Sequence, residues 1–455
     1  MLVWIHKISK DIRYIVKWMF VLLMAAQILL GIGWILANIM HLPMFHETIL
    51  LNRAADLFVV DEYMGILYPV LIKMTKWIEK VSGFPFYSQL YVLQLISALG
   101  AFLYMLRYSG WISGNGLLGK LKYGLAALYM LTFPLLLQLH MAVLPYSLAA
   151  SISIIMICDG LYYLNHMEEV RGSVLIRLCG LWILAVLLLP DYSWMLRIFM
   201  LTLFVKILYG NKIWRNRILI CMLSTVLCFG VIGNTTQMPG SMGRIQKSAS
   251  SCLLSRFVWP NLGSYSFFWP QEVGDIFTLE ELSGMAVYSE SMMYDFGPVL
   301  EEKYGRETAN NIYLKMAVAA FGLNTKQILI DTGRDFVSYL CPQIAFQQQQ
   351  KDNRGALLAW NYGRLQEQTP MLTKYYVNIS FAGWNVLCVL GGLLILIRRQ
   401  YKVRSYAGMM IGSSTLFMAF WYTMQGAGIQ DYKKVMLISL LWLLPVIKGF
   451  VLTDK

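Results

Sequence analysis

The sequence predicts an all-α integral membrane protein with about ten transmembrane helices, and three observations lead there. Of its 455 residues, 58% are hydrophobic and 14% charged, whereas a soluble domain is about half apolar and a quarter charged. Apolar runs of about twenty residues recur, each long enough to cross roughly 30 Å of hydrocarbon as a helix. Lysine and arginine collect in short segments beside those runs, which is the positive-inside pattern.

In chain order the apolar runs cover roughly 16–39, 87–106, 121–139, 142–164, 174–190, 194–210, 218–233, 379–397, 405–424 and 434–450. Lys7, Lys10, Arg13 and Lys17 precede the first run, which is longer than a signal-peptide core and therefore reads as an uncleaved anchor. With the N-terminus cytoplasmic, Lys120 and Lys122, then Lys206, Lys212, Arg215 and Arg217, then Arg398, Arg399, Lys402 and Arg404 all fall inside. One orientation satisfies nearly every loop of a multi-pass protein of the cell membrane. The formal charge of +13 is spread over these loops. A nucleic-acid partner would instead call for one clustered basic face on a soluble fold.

The chain then divides into an N-terminal membrane module, 1–233, with about seven spans and a first outer loop at 40–86. An extracytoplasmic domain, 234–378, and a C-terminal membrane module of about three spans, 379–455, follow. In the first outer loop Leu67, Val70, Leu71, Met74, Ile78 and Val81 recur at three- and four-residue spacing, opposite Lys73, Lys76, Glu79 and Lys80. That is the pattern of an amphipathic helix lying at the membrane surface. Pro69 fits its first turn, where no amide donor is needed.

The extracytoplasmic domain is expected to be mostly helical, with helices at 299–321 and 324–340. Asn324 serves as an N-cap and Pro342 closes the second helix. Residues 234–298, with Pro239, Pro260, Pro270, Pro298 and many aromatics, read as irregular. Cys158, Cys179, Cys221, Cys228 and Cys388 fall inside apolar runs and read as packing residues, while Cys252 and Cys341 share the outer domain, where a disulfide is chemically allowed.

Several chemistries find no support. Gly114, Gly116 and Gly119 match the spacing of a dinucleotide fingerprint, but they join two membrane helices and lack the strand that the fingerprint requires. His41, His46 and Glu47 make a weak cluster without zinc-site spacing. The spans are nearly free of ionisable groups, unlike those of ion-coupled carriers. Asp159 and Arg177, near inner ends, are expected to snorkel to the surface.

Acids gather at the outer surface instead: Asp56, Asp61 and Glu62 after the first span, Asp191 after the fifth and Asp431 after the ninth. Asp61 and Glu62 stand just before the interfacial helix, so they can serve as caps that favour its positive end. A carboxylate beside an apolar surface also has a raised pKa and can act as a general base towards a hydroxyl.

The early span, the outer loop with Asp61-Glu62 leading into an interfacial helix, the close hairpin at His140 to Pro145 and the large late outer domain together resemble the GT-C superfamily. These are polytopic glycosyltransferases, such as protein O-mannosyltransferases and lipid A aminoarabinose transferases. The resemblance implies a catalytic or metal-binding acid in the first outer loop, mapping to Asp61 with Glu62 and Asp56 beside it. It also implies a polyprenyl-phosphate-linked sugar as donor, a glycan, lipid or protein acceptor, and membrane lipids as surroundings. A divalent metal ion is the one cofactor it leaves open.

The family's phosphate-binding basic residues carry no short motif. Position alone nominates Arg244, Lys247 and Arg256, near the outer end of the seventh run, as donor phosphate-binding cations. Trp259, Phe267, Phe268 and Trp269 are expected to flank a sugar or isoprenoid, or to anchor the segment at the interface. The alternative readings are a flippase or exporter of lipid-linked oligosaccharides and a polysaccharide polymerase or ligase.

Overall fold

A computed structural model describes residues 2–40, 51, 55, 65–109, 117–165, 172–189, 253–263, 266–286, 295–340, 379–380, 420 and 423–424. Among the described residues the chain is helical throughout, with no strand. It divides into two compact units, one of Met1–Thr236, Ala356–Ser414 and Leu440–Lys455, the other of Gln237–Gly355 and Thr415–Ser439.

The first unit contains α1 (Leu2–Asn38), α2 (Leu67–Ser82), α3 (Phe86–Ser109), α4 (Leu117–Leu131), α5 (Pro134–His140), α6 (Tyr146–Asn165) and α7 (Gly172–Leu188). Two stretches are long and apolar enough to cross a membrane, Val21–Asn38 in α1 and Phe86–Arg107 in α3. Leu22, Leu29 and Leu36, one heptad apart, are about 70% exposed on α1. A ridge of leucine pointing away from the protein is what a lipid-facing helix presents. The runs at 194–210, 218–233, 379–397, 405–424 and 434–450 lie outside the described residues, apart from a few positions.

The run at 121–139 is not one straight helix. Pro134 takes the first position of α5, and Phe133 ahead of it is extended (φ −65°, ψ 125°), so α4 stops at Leu131. The proline ring excludes the preceding residue from helical geometry, and its missing N–H is harmless at a helix start. Residues Met141–Pro145 then form a turn whose residues are all buried. A connection buried in this way differs from the surface loop expected between two complete spans.

Helix α2 spans the expected residues, but its faces differ from the expected two-sided pattern. Tyr68, Ile72 and Thr75 face the protein and are buried, whereas Met74, Trp77, Ile78 and Val81 are exposed. Periodicity identified apolar residues without showing that the neighbouring helices cover a different stripe. Gly83 ends α2 in the left-handed region (φ 70°), donating its N–H to the Glu79 carbonyl. That cap turns the chain directly through Phe84 and Pro85 into α3.

The second unit is built around α11 (Arg306–Leu340). Before it come a π turn (Leu254–Val258), 3₁₀ turns (Trp259–Asn261 and Ser266–Phe268), and short helices α8 (Gln271–Gly274), α9 (Leu279–Met285) and α10 (Gly297–Tyr304). Its core contains Leu254, Trp259, Trp269, Phe296 and Tyr313, with Phe277 and Phe296 stacked at 4.9 Å. The helix expected at 299–321 is broken at Gly305 (φ 76°), between α10 and α11, and its remainder runs on into the helix expected at 324–340, interrupted only where Asn324 leaves helical geometry (φ −138°, ψ 39°). Thr278 and Glu281 form a reciprocal capping box at the start of α9. Among the four aromatics singled out by sequence, Trp259 and Trp269 are buried in the core, while Phe267 is 92% exposed and Phe268 59%.

Candidate functional site

Two polar layers cross the helices of the first unit. At one level Arg177 of α7 grips Asp159 of α6 side-on, with Nε 2.7 Å from Oδ2 and Nη2 2.9 Å from Oδ1. Tyr104 of α3 donates its hydroxyl to Asp159 and accepts a 2.8 Å hydrogen bond from Arg177. This corrects the expectation that the two charges snorkel separately. Each finds its partner across a helix boundary, through one charge-assisted hydrogen bond from Nη2 and a close ion-pair contact at Nε.

A second polar level lies at Gln94 of α3, and a separate buried pair lies at His140, whose neighbour Phe102 is two residues from Tyr104 on α3. Gln94 of α3 donates through Nε2 to the Tyr68 hydroxyl of α2 (2.7 Å) and to the Leu144 carbonyl in the buried turn (3.3 Å). His140 of α5 pairs through Nδ1 with the Ser147 hydroxyl of α6 at 2.7 Å, and its ring meets Phe102 edge-on. Tyr68, Gln94, His140 and Ser147 are at most 2% exposed. Among the described residues Gln94 Oε1 and His140 Nε2 have no hydrogen-bond partner. Buried polar atoms in that condition are uncommon in folded proteins and call for an explanation.

Helix rise fixes how far apart these layers are. Tyr104 and Gln94 are ten residues apart on α3, about 15 Å at 1.5 Å per residue, and Arg177 and Leu187 are separated equally on α7. Leu187 therefore sits level with Gln94. At Leu187 the chain leading into α2 comes closest: a Cβ added to Gly65 would stand 1.9 Å from the Leu187 carbonyl oxygen. Only glycine permits that approach. Gln94 is itself eight residues past Phe86, about 12 Å along α3 from its start. The chain before α2 thus meets the bundle about two turns beyond the end where α3 begins.

Asp56, Asp61 and Glu62 lie outside the described residues, as do Arg244 and Lys247. In the segment that carries these acids the described residues are Leu51 and Ala55, both buried, and Gly65, three positions after Glu62. Arg256 is described, and its surroundings differ from those of an open cation. It lies in the π turn, 3% exposed, with Nη1 2.5 Å from Asp335 Oδ2 and Nε donating to the Thr332 hydroxyl at 3.1 Å. A π turn widens the helix by one residue, and here it carries Arg256 against α11. The structure therefore assigns this guanidinium to an internal ion pair of the second unit.

Among the described residues no group of three or more His, Cys, Asp or Glu side chains converges as metal ligands would. Sequence reasoning missed the Tyr68–Gln94 and His140–Ser147 pairs, because the partners come from different helices and follow no local spacing. The sequence signals that point to it are Gln94 inside an apolar run and the histidine beside the Pro145 turn. Comparisons with protein-family models, with curated proteins and with solved structures find no match for this chain.

Proposed function

We propose that this protein is a membrane glycosyltransferase of GT-C type, moving a sugar from a polyprenyl-phosphate donor to an acceptor at the outer face. The observation that carries the reading is the close seat of Gly65 on Leu187. It anchors the loop bearing Asp61 and Glu62 to the helical bundle, about 12 Å along α3 from its outer end. A polyprenyl donor cannot leave the lipid, so a base that serves it must be held close to the membrane.

In the proposed reaction Asp61 takes the acceptor hydroxyl's proton as the acceptor oxygen attacks the anomeric carbon. The bond from that carbon to the phosphate breaks, and its electrons leave with the polyprenyl phosphate. Cationic groups beside the phosphate offset its growing charge. The proposal requires no nucleotide.

The test is the fate of the donor. Purified protein in liposomes, given a radiolabelled polyprenyl-phosphate sugar and a crude acceptor fraction, should release polyprenyl phosphate and transfer label to acceptor. The unpartnered Gln94 and His140 atoms favour one second reading, a flippase that moves a lipid-linked glycan past polar groups between spans. Translocation of intact donor across the liposome, with no sugar transfer, would support that reading and remove ours.

A further inference from the structure

The observations on α2 extend beyond the reaction and depend only on the chain lying in a membrane. At about 100° per residue its side chains fall into three sectors roughly a third of a turn apart. Tyr68, Ile72 and Thr75 pack on the protein. Met74, Trp77, Ile78 and Val81 are exposed, with Trp77 at 68% and Val81 at 75%. Lys73, Lys76 and Lys80 form the third sector, with Lys73 and Lys80 exposed, and Glu79 is the helix's only acid.

The level of this helix is set by its connections. Gly83, Phe84 and Pro85 alone separate it from Phe86, where the apolar stretch of α3 begins, and Gln89 Nε2 fastens the link through the Phe84 carbonyl at 2.7 Å. Lys76 Nζ lies 5.8 Å from the centre of the Phe86 ring. Near its other end Tyr68 is fixed to Gln94. Helix α2 therefore slopes along the first turns of α3, with Trp77 and Phe84 exposed and the edge-on pair Phe86 and Tyr87 just beyond its C-terminal end. Aromatic side chains of this kind settle at the headgroup level.

We propose that α2 is a receptor for anionic phospholipid, with the Met74–Val81 stripe against acyl chains and the Lys73, Lys76 and Lys80 row on headgroup phosphates. A solvent-facing helix has no reason to expose four large apolar side chains beside its charged row. A helix buried against a second protein has no reason to border that stripe with three lysines. Charge complementarity selects an anionic headgroup over a zwitterionic one, since each cation near an anionic surface adds to binding. The slope lets the lysine stems follow the lipid glycerol region and lift their ammonium groups to the phosphates.

Full-length protein, purified in detergent and equilibrated with equal amounts of phosphatidylglycerol and phosphatidylcholine, should retain phosphatidylglycerol preferentially by native mass spectrometry. The triple variant Lys73→Gln, Lys76→Gln, Lys80→Gln should lose that preference by roughly tenfold or more, and the triple arginine variant should keep it. Raising salt should weaken the preference in the wild-type protein, a result that needs no variant to fold. A nitroxide on Trp77→Cys in liposomes should be shielded from an aqueous relaxation agent and accessible to oxygen. Equal retention of both lipids, an unchanged triple glutamine variant, or a dimer that shields Trp77→Cys in detergent without lipid would overturn the proposal. Because none of these readouts uses sugar transfer, failure of the transferase reading leaves this test intact.

Discussion

Gly65 and Leu187, from segments more than a hundred residues apart, meet so closely that a single added carbon would lie 1.9 Å from a backbone oxygen. The clash is with main chain, so a side-chain rotation cannot relieve it. Gly65→Ala should displace the start of α2 from α7. In detergent the variant should show faster hydrogen exchange at 65–72 and 185–189, and transfer activity should fall at least tenfold, because the loop carrying Asp61 loses its anchor. Wild-type exchange in both segments would show that the close approach is not part of the folded protein.

Gln94 and Tyr68 offer a test of the buried layer. Gln94→Leu removes one partner of a fully buried hydroxyl, the Leu144 main chain being another, and should destabilise by about 1–3 kcal/mol, the range for a buried polar group that loses a hydrogen bond. Adding Tyr68→Phe removes that hydroxyl as well, so the double variant should recover part of the loss. A double-mutant cycle on midpoint temperatures in detergent checks this. Additive losses would mean that the two residues do not share a hydrogen bond.

The Arg256–Asp335 pair predicts a similar asymmetry in the second unit. Asp335→Ala leaves a guanidinium stranded inside protein and should cost about 3–5 kcal/mol, seen as early protection loss across 254–262 and 328–340 by hydrogen exchange. Replacing both partners with apolar residues of similar size should be much milder. If Arg256 instead contacts the donor phosphate directly, Arg256→Lys should reduce donor binding while leaving the exchange pattern unchanged.

Acid should loosen the start of α9 for a local reason. The Thr278 amide and hydroxyl hold the Glu281 carboxylate below its usual range. A depressed folded-state pKa means that the contribution is present above the unfolded value and is lost as pH falls through the folded one. Exchange at 278–282 should therefore rise below the ordinary glutamate range, and Thr278→Ala, which keeps the amide donor but loses the hydroxyl, should reduce that acid dependence while raising exchange at neutral pH. An unchanged pH profile in Thr278→Ala would contradict the capping role.

How much of this could be read in the sequence depended on the range of the interaction. Apolar run length located α3 and α7 within a few residues, three- and four-residue spacing located α2, and the helix-breaking signal at Asn324 marks a real interruption. Pro134 was equally legible, yet run length alone merged α4 with α5. The pairing of Asp159 with Arg177, the burial of Arg256 and the separation of two buried tryptophans from two exposed phenylalanines were not legible. Periodicity tells which residues share a face and leaves open which neighbour covers it. The acids nominated as catalytic, Asp56, Asp61 and Glu62, rest on sequence position and resemblance, with Ala55 the described residue nearest to Asp56 and Gly65 the one nearest to Asp61 and Glu62.

The account's central claim is that a carboxylate in the first outer loop is the base for sugar transfer, and Asp61→Asn tests it most directly. Asparagine keeps the size and caps a helix about as well as aspartate, but it cannot accept the proton. In liposomes with a polyprenyl-phosphate sugar donor, turnover should drop by about a hundredfold or more. Donor binding and folded yield should stay near wild type. Near-normal transfer by Asp61→Asn, with Asp56→Asn and Glu62→Gln equally active, would contradict the claim.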